Sequence, residues 1–136
     1  MKKFKTLKIT FILAFTFFLG IAISSCSSDD DKGDSTPANR NVKYEITGNY
    51  SGKLVVVYSN EHGAAETVMS ASLPWSKEIT LETVNTGAYS ANTDTPGIAG
   101  QTATATIIVG GEVKKSETQT ADENGRINFS MLSYTF

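Results

Sequence analysis

Thr102-Ala103-Thr104-Ala105-Thr106-Ile107-Ile108-Val109-Gly110-Gly111 is the stretch that decides the fold. Before the glycines it holds only Thr, Ala, Ile and Val. The branched side chains lose rotamer freedom in a helix and pack well on a pleated sheet, so the segment reads as a strand. Gly110-Gly111 then supplies a two-residue hairpin turn, where positive φ costs nothing. Glu112 to Thr120 returns as a polar strand, exposed or at an edge. Asp122-Glu123-Asn124-Gly125 turns again, and Ile127, Phe129 and Met131 alternate with Asn128, Ser130 and Leu132.

Working back toward the N-terminus, the same period of two recurs. Val42, Tyr44 and Ile46 alternate with Lys43, Glu45 and Thr47, a half-buried strand. Leu54-Val55-Val56-Val57-Tyr58 is a continuous apolar run, which predicts a central strand covered on both faces, and Asn60 to Gly63 is the turn after it. Thr67 to Ser72 is a weaker strand with Thr67, Met69 and Ala71 on one side. Pro74 interrupts, Ile79 and Leu81 alternate with Glu78, Thr80 and Glu82, and Ala88 to Thr93 is short. Seven or eight strands at a spacing of about 10 to 12 residues, with no convincing helix, predict an all-β sandwich or barrel. The expectation is an immunoglobulin-like antiparallel β-sandwich over residues 42–136, with a small closed β-barrel as the alternative.

The first 41 residues are a different material. Lys2, Lys3, Lys5 and Lys8 precede a mostly apolar run from Ile9 to Ile23, and Ser24-Ser25 follow. This is the layout of a secretory signal over residues 1–25, and the run is short for a span of ~20 apolar residues. A signal anchor is the competing reading. Ile23-Ser24-Ser25-Cys26 resembles the bacterial lipobox, which implies cleavage before Cys26 and acylation of its thiol. The resemblance implies a palmitate-type anchor, practically irreversible when two or three chains are buried.

Ser27-Ser28-Asp29-Asp30-Asp31 follows the cysteine. Position +2 is Ser27 and not Asp, so the usual inner-membrane retention signal is missing. The acidic cluster resembles the export signal of surface lipoproteins in Bacteroidetes-type bacteria, and Asp34-Ser35-Thr36 resembles their short O-glycosylation motif. No Gly turn or downstream Glu completes a calcium loop around these aspartates. Residues 26–41 therefore read as lipidated cysteine and polar linker, averaging ~20 Å as a flexible coil. The expected location is the outer membrane, facing the periplasm or the cell surface.

Length and charge exclude several functions. At 136 residues there is room for one domain. From Cys26 onward eight Lys and Arg stand against fourteen Asp and Glu, a net charge of −6. That balance argues against nucleic acid, whose phosphates need a basic face. One Cys forbids an internal disulfide, and one His without a Cys cluster predicts no zinc site. His62 reads as a solvated turn residue, and a serine nucleophile finds no second His as its base. Glu78 and Glu82 sit on the solvent face of one strand. Gly97-Ile98-Ala99-Gly100 leads into a strand and so is no phosphate loop. The triplets at Asn49 and Asn128 carry little meaning behind a bacterial lipobox. The sequence therefore predicts no catalytic residue, no metal and no cofactor.

Aromatic residues are the remaining candidates. Leu73-Pro74-Trp75-Ser76 places the one Trp just after a strand-starting proline. Trp75, Tyr50, Tyr58 and Tyr89 either gather on an exposed face, as a sugar-binding platform does, or turn inward and serve the core.

Four segments together resemble the MmpS family, small mycobacterial membrane proteins that accompany RND-type exporters. They are Val42-Lys43-Tyr44-Glu45-Ile46-Thr47-Gly48, the strand end Val57-Tyr58, Leu73-Pro74-Trp75-Ser76-Lys77, and Ile107-Ile108-Val109-Gly110-Gly111-Glu112-Val113. The resemblance runs over roughly residues 41–120 and implies a β-sandwich outside the membrane, with no catalytic residues. Two departures stand out. Family members are held by a transmembrane helix where this chain has a lipid cysteine, and the cysteine pair often found in their late strands is missing. The resulting expectation is a non-enzymatic lipoprotein, anchored through Cys26, that accompanies an RND-type transporter. The alternative is a surface module binding a glycan or a host protein.

Overall fold

A computed structural model describes residues 39–136. Cys26 and the stretch Ser27, Ser28, Asp29, Asp30 and Asp31 lie outside the described residues, as do the signal and most of the linker. Eight strands follow in order: β1 (Asn41–Gly48), β2 (Lys53–Ser59), β3 (Ala65–Ala71), β4 (Trp75–Thr80), β5 (Thr86–Thr95), β6 (Thr102–Val109), β7 (Glu112–Thr120) and β8 (Leu132–Thr135). They form two four-stranded sheets, a first of order β4-β1-β6-β7 and a second of order β3-β2-β5-β8. Every pairing is antiparallel. The architecture is the expected sandwich and no closed barrel.

The segment that decides the fold behaves as read. β6 alternates half-buried Thr102, Thr104, Thr106 and Ile108 with buried Ala103, Ala105, Ile107 and Val109. Gly110 and Gly111 take φ of 60° and 84° at the hairpin. Residues with Cβ atoms resist two successive left-handed positions, so the glycines specify this tight turn. β7 then forms an exposed edge of the first sheet.

The core lies where the two inner faces meet. Val42, Tyr44 and Ile46 from β1 and the inward residues of β6 oppose Leu54, Val56 and Tyr58 of β2 and Tyr89 and Ala91 of β5. Ala91, Ala103 and Ala105 leave the room that three tyrosine rings occupy, an alternation of small and large side chains that fills the space between layers.

Three details depart from the reading of the sequence. β2 is covered on one face only: Leu54, Val56 and Tyr58 are buried, whereas Val55 and Val57 are half-buried on the outer side. In β3, Met69 and Ala71 do not share a face. Leu54 pairs with Ala71 but Val56 pairs with Val68, so β3 carries one extra residue, and Ser70 absorbs it at a φ of 54°. This bulge turns Met69 to water and Ala71 inward. The C-terminal alternation also breaks. Asn92 bridges to Asn128, yet Tyr89 pairs with Leu132, a slip of one residue. A one-residue slip exchanges faces, so Met131 stands 74% exposed and Leu132 is buried.

Candidate functional site

An aromatic cluster occupies the flank of the sandwich where β3 and β4 form the edges. Tyr44, Tyr58 and Tyr89 are inward positions of β1, β2 and β5, each under 5% exposed. Trp75 begins β4 directly after the cis Leu73-Pro74 bond and is half-buried. Its ring stacks on Tyr89 at 6.4 Å between centroids and lies 6.1 Å from Tyr58. Tyr44 stands 5.0 Å from Tyr89 and 5.9 Å from Tyr58. Offset and tilted rings at these separations attract beyond the area they bury. Trp75 therefore closes the open side of the core.

Each buried phenol finds an acceptor, as groups taken out of water must. The Tyr89 hydroxyl crosses the core to the first sheet, 2.9 Å from the Glu45 carbonyl and 3.0 Å from that of Thr106. The Tyr44 hydroxyl meets Ser59 Oγ at 3.0 Å. Tyr58 donates to the Glu66 carboxylate, and Glu66 Oε1 also accepts from Asn60 at 3.0 Å. Lys77 Nζ sits 5.7 Å from the Tyr58 ring centroid.

The hydrogen bond to Glu66, with loss of hydration behind it, pushes the Tyr58 phenol up to about 12, and the same bond holds Glu66 below the usual carboxylate range. Burial raises Tyr44 and Tyr89 above the ordinary phenol value. All of these shifts keep the phenols neutral and paired.

Tyr50 holds the far end of the sandwich. It is 3% exposed, and its hydroxyl lies 3.0 Å from both Thr93 Oγ1 and the Gly125 carbonyl. Gly97 N–H donates to that carbonyl at 2.8 Å. A Cβ at Gly125 would stand 2.2 Å from the Gly97 oxygen, which explains glycine at this contact. Tyr50, Tyr58 and Tyr89 are thus core residues, and Trp75 shows only part of its ring. The exposed aromatic platform anticipated for a sugar site does not form.

Among the described residues one depression of about 280 Å³ lies against Glu112, Lys114, Tyr134 and Phe136, and two more lie on outer sheet faces. One, of about 560 Å³, lies on the outer side of the first sheet beside the Gly110-Gly111 turn, lined by Asn41, Lys43, Glu78, Thr80 and Ile108. Three of its polar side chains are already engaged: Lys43 pairs with Glu45 at 2.7 Å, and Thr80 Oγ1 donates to Asn41 Oδ1 at 2.7 Å. The other, of about 140 Å³, lies on the outer side of the second sheet between Val57, Ser59, Ala65, Ala88, Ser90 and Met131. Among the described residues no group of three or more His, Cys, Asp or Glu side chains converges as metal ligands do. His62 is an exposed turn residue, its Nδ1 3.8 Å from Glu82.

The sequence reading overlooked the parts played by Tyr44, Glu66 and Lys77. Tyr44 was visible as an inward strand residue. Its two aromatic neighbours were not, since they come from β2 and β5. The depression on the second sheet also had a sequence signal, in Val57 on a strand whose inner face Leu54 and Val56 already supply.

Among the described residues no helix is long and apolar enough to cross a membrane. A family model described as Mycobacterium membrane protein matches residues 10–127, taking in most of the apolar N-terminal run and the sandwich through Ile127. No curated protein matches the chain.

Proposed function

Because the chain belongs to the Mycobacterium membrane protein family, the MmpS type, we propose that it is a non-enzymatic accessory of a membrane transport system, held at the outer membrane by a lipid on Cys26. The observation that carries this reading is the extent of the family match, which joins the apolar segment and the sandwich in one unit. A core whose tyrosine hydroxyls all bond to groups of the fold is suited to scaffolding. The surrounding membrane supplies one partner, and an RND-type transporter is the other. The glycan-binding alternative loses its aromatic face, because Tyr50, Tyr58 and Tyr89 point inward.

The lipid anchor is tested by labelling cells with an alkyne analogue of palmitate. The wild-type chain takes up label and partitions into detergent, whereas Cys26→Ala takes up none and is released as a soluble protein. An unlabelled Cys26→Ala chain that still partitions into detergent would replace the lipid by a transmembrane anchor. Recovery of an RND-type transporter with the tagged wild-type chain tests the partnership. A chain that is lipidated yet recovers no transporter would remove the transport reading and leave the anchor.

A further inference from the structure

The turn after β7 holds the one Asn-Gly pair in the sequence, Asn124-Gly125. Asn124 is exposed, and Gly125 directly after it is buried. The turn is closely bonded. Gly125 N–H donates to the Asp122 carbonyl at 2.9 Å, and Asp122 Oδ1 accepts from the N–H groups of Asn124 and Arg126 at 2.9 and 2.8 Å. The Gly125 carbonyl takes the Tyr50 hydroxyl at 3.0 Å and Gly97 N–H at 2.8 Å. Both peptide units that meet at the Gly125 Cα are thus pinned, one through its N–H and the other through its C=O.

An asparagine before glycine carries its own reaction. The glycine nitrogen loses its proton and attacks the side-chain carbonyl carbon, a C–N bond forms and ammonia leaves, which gives a succinimide ring. Water then opens the ring at either carbonyl. One product is an ordinary aspartate, and the other is an isoaspartyl link, in which the main chain runs through the former side-chain carbons. Glycine permits the attack best because no Cβ crowds its nitrogen. In the folded chain the Gly125 proton is bonded to the Asp122 carbonyl, which holds the nitrogen away from the attack. The reaction therefore waits on an opening of the loop.

We propose that Asn124-Gly125 is a site of spontaneous modification gated by the Tyr50 hydroxyl. While Tyr50 holds the Gly125 carbonyl, the asparagine stays intact, and when that bond opens the pair converts. Opening a few bonds at the end of a sandwich takes far less free energy than unfolding its core. The isoaspartyl product does not close again. Its link adds a methylene to the main chain just before Gly125, and Gly125 approaches Gly97 so closely that a Cβ on it would stand 2.2 Å from the Gly97 oxygen. The longer chain has no room there, so the carbonyl leaves Tyr50 and the loop stays open. Conversion thus records opening at the end of the sandwich opposite Asn39.

The experiment follows the full-length chain, purified in detergent and held at mildly alkaline pH below its melting temperature. Mass spectrometry of the tryptic peptide from Ser116 to Arg126 counts the amide-to-acid change, chromatography separates aspartyl from isoaspartyl forms, and a sample taken at the start sets the background. The folded chain should convert about tenfold more slowly than the same chain in urea, where no opening is required. Tyr50→Phe, which keeps the ring and loses the hydroxyl, should convert several-fold faster than wild type when folded and at the wild-type rate in urea. Arg40→Ala loses its bonds to Val84 and Asn85 at the other end of the sandwich and should convert at the wild-type rate. Equal rates for the wild-type chain folded and in urea overturn the proposal. So does a folded Tyr50→Phe chain at the wild-type rate, or an equal acceleration by Arg40→Ala, which would route the reaction through unfolding of the whole domain. Isoaspartyl chain made in urea and refolded should melt below the Asn124→Asp variant, whose main chain is unaltered. Equal melting temperatures would refute the block on reclosing.

Discussion

On the outer face of the first sheet, Lys43 pairs with Glu45 at 2.7 Å, and Thr104 and Thr118 share a hydrogen bond of 2.8 Å between neighbouring strands. The corresponding face of the second sheet carries Val55, Val57, Ala88 and Ser90, with exposed methionines at its borders. The inner faces of the two sheets are chemically alike, since both must exclude water. Only the outer faces differ, and folding does not demand that they should. Ion pairs and threonine ladders suit a strand face that stays in water. Half-buried valines make the second face the more apolar of the two, with Lys53 and Asp94 at one end of it.

The largest expected effect separates inside from outside on a single strand. Val56 is fully buried on β2, between β3 and β5. Val56→Asp places an unpaired carboxylate in the core and costs several kcal/mol, comparable with the stability of the whole domain. Val57→Asp points to the outer face, and its cost is about 1 kcal/mol of lost packing. Chemical denaturation of both variants checks the difference. Equal losses would mean that β2 is covered on both faces, as the unbroken apolar run at first suggests.

A smaller effect is expected at the flank shared by the two sheets. Trp75→Ala removes a half-buried ring that touches Tyr58 and Tyr89. A fully buried aromatic site costs ~3–5 kcal/mol to empty, so a half-buried one should cost about 2 kcal/mol. Trp75 emission should be blue-shifted in the folded domain and only partly quenched by iodide. Emission that is red-shifted and freely quenched would place the ring on the surface and reopen the binding reading.

The smallest effect is a matter of pH. Glu66 is held below its ordinary value by the Tyr58 hydroxyl and then by Asn60. A depressed carboxylate contributes stability that is present above its unfolded value near 4.5 and lost as pH falls through the folded one. Tyr58 acts at the other end. Raised from 10.0 to about 12, it contributes stability that is present below pH 10 and lost as pH climbs toward 12. Glu66→Gln should lower the melting temperature at pH 7, where the wild-type pair contributes in full, and bring the two profiles together below pH 4 and toward pH 12. A profile identical to wild type would show that the pair is not formed in solution.

How far the sequence could be read is clearest residue by residue. Val42, Tyr44 and Ile46 were legible as one buried side because strand side chains alternate strictly, and so were the hairpin at Gly110-Gly111 and the exposed β7. Met69 and Met131 were misread for one physical reason. Each lies beside an inserted residue that shifts the register by one, and a slip of one reverses the face of every residue beyond it. Nothing in the spacing of apolar residues marks Ser70 as the place where β3 absorbs its extra residue.

By itself the sequence determined the class of the fold, the inward residues of β1, the hairpin at Gly110-Gly111 and the exposed return strand β7. Each of these rests on short-range pattern and composition, which need no knowledge of distant neighbours. Only the tertiary structure decided that Tyr44, Tyr58, Trp75 and Tyr89 form one cluster, that Tyr50 reaches Thr93 and Gly125, 43 and 75 residues away, and that Met69 and Met131 turn to water. Those outcomes depend on which strands become neighbours. Antiparallel pairing sets that order through register and bulges, and a linear pattern of period two carries neither.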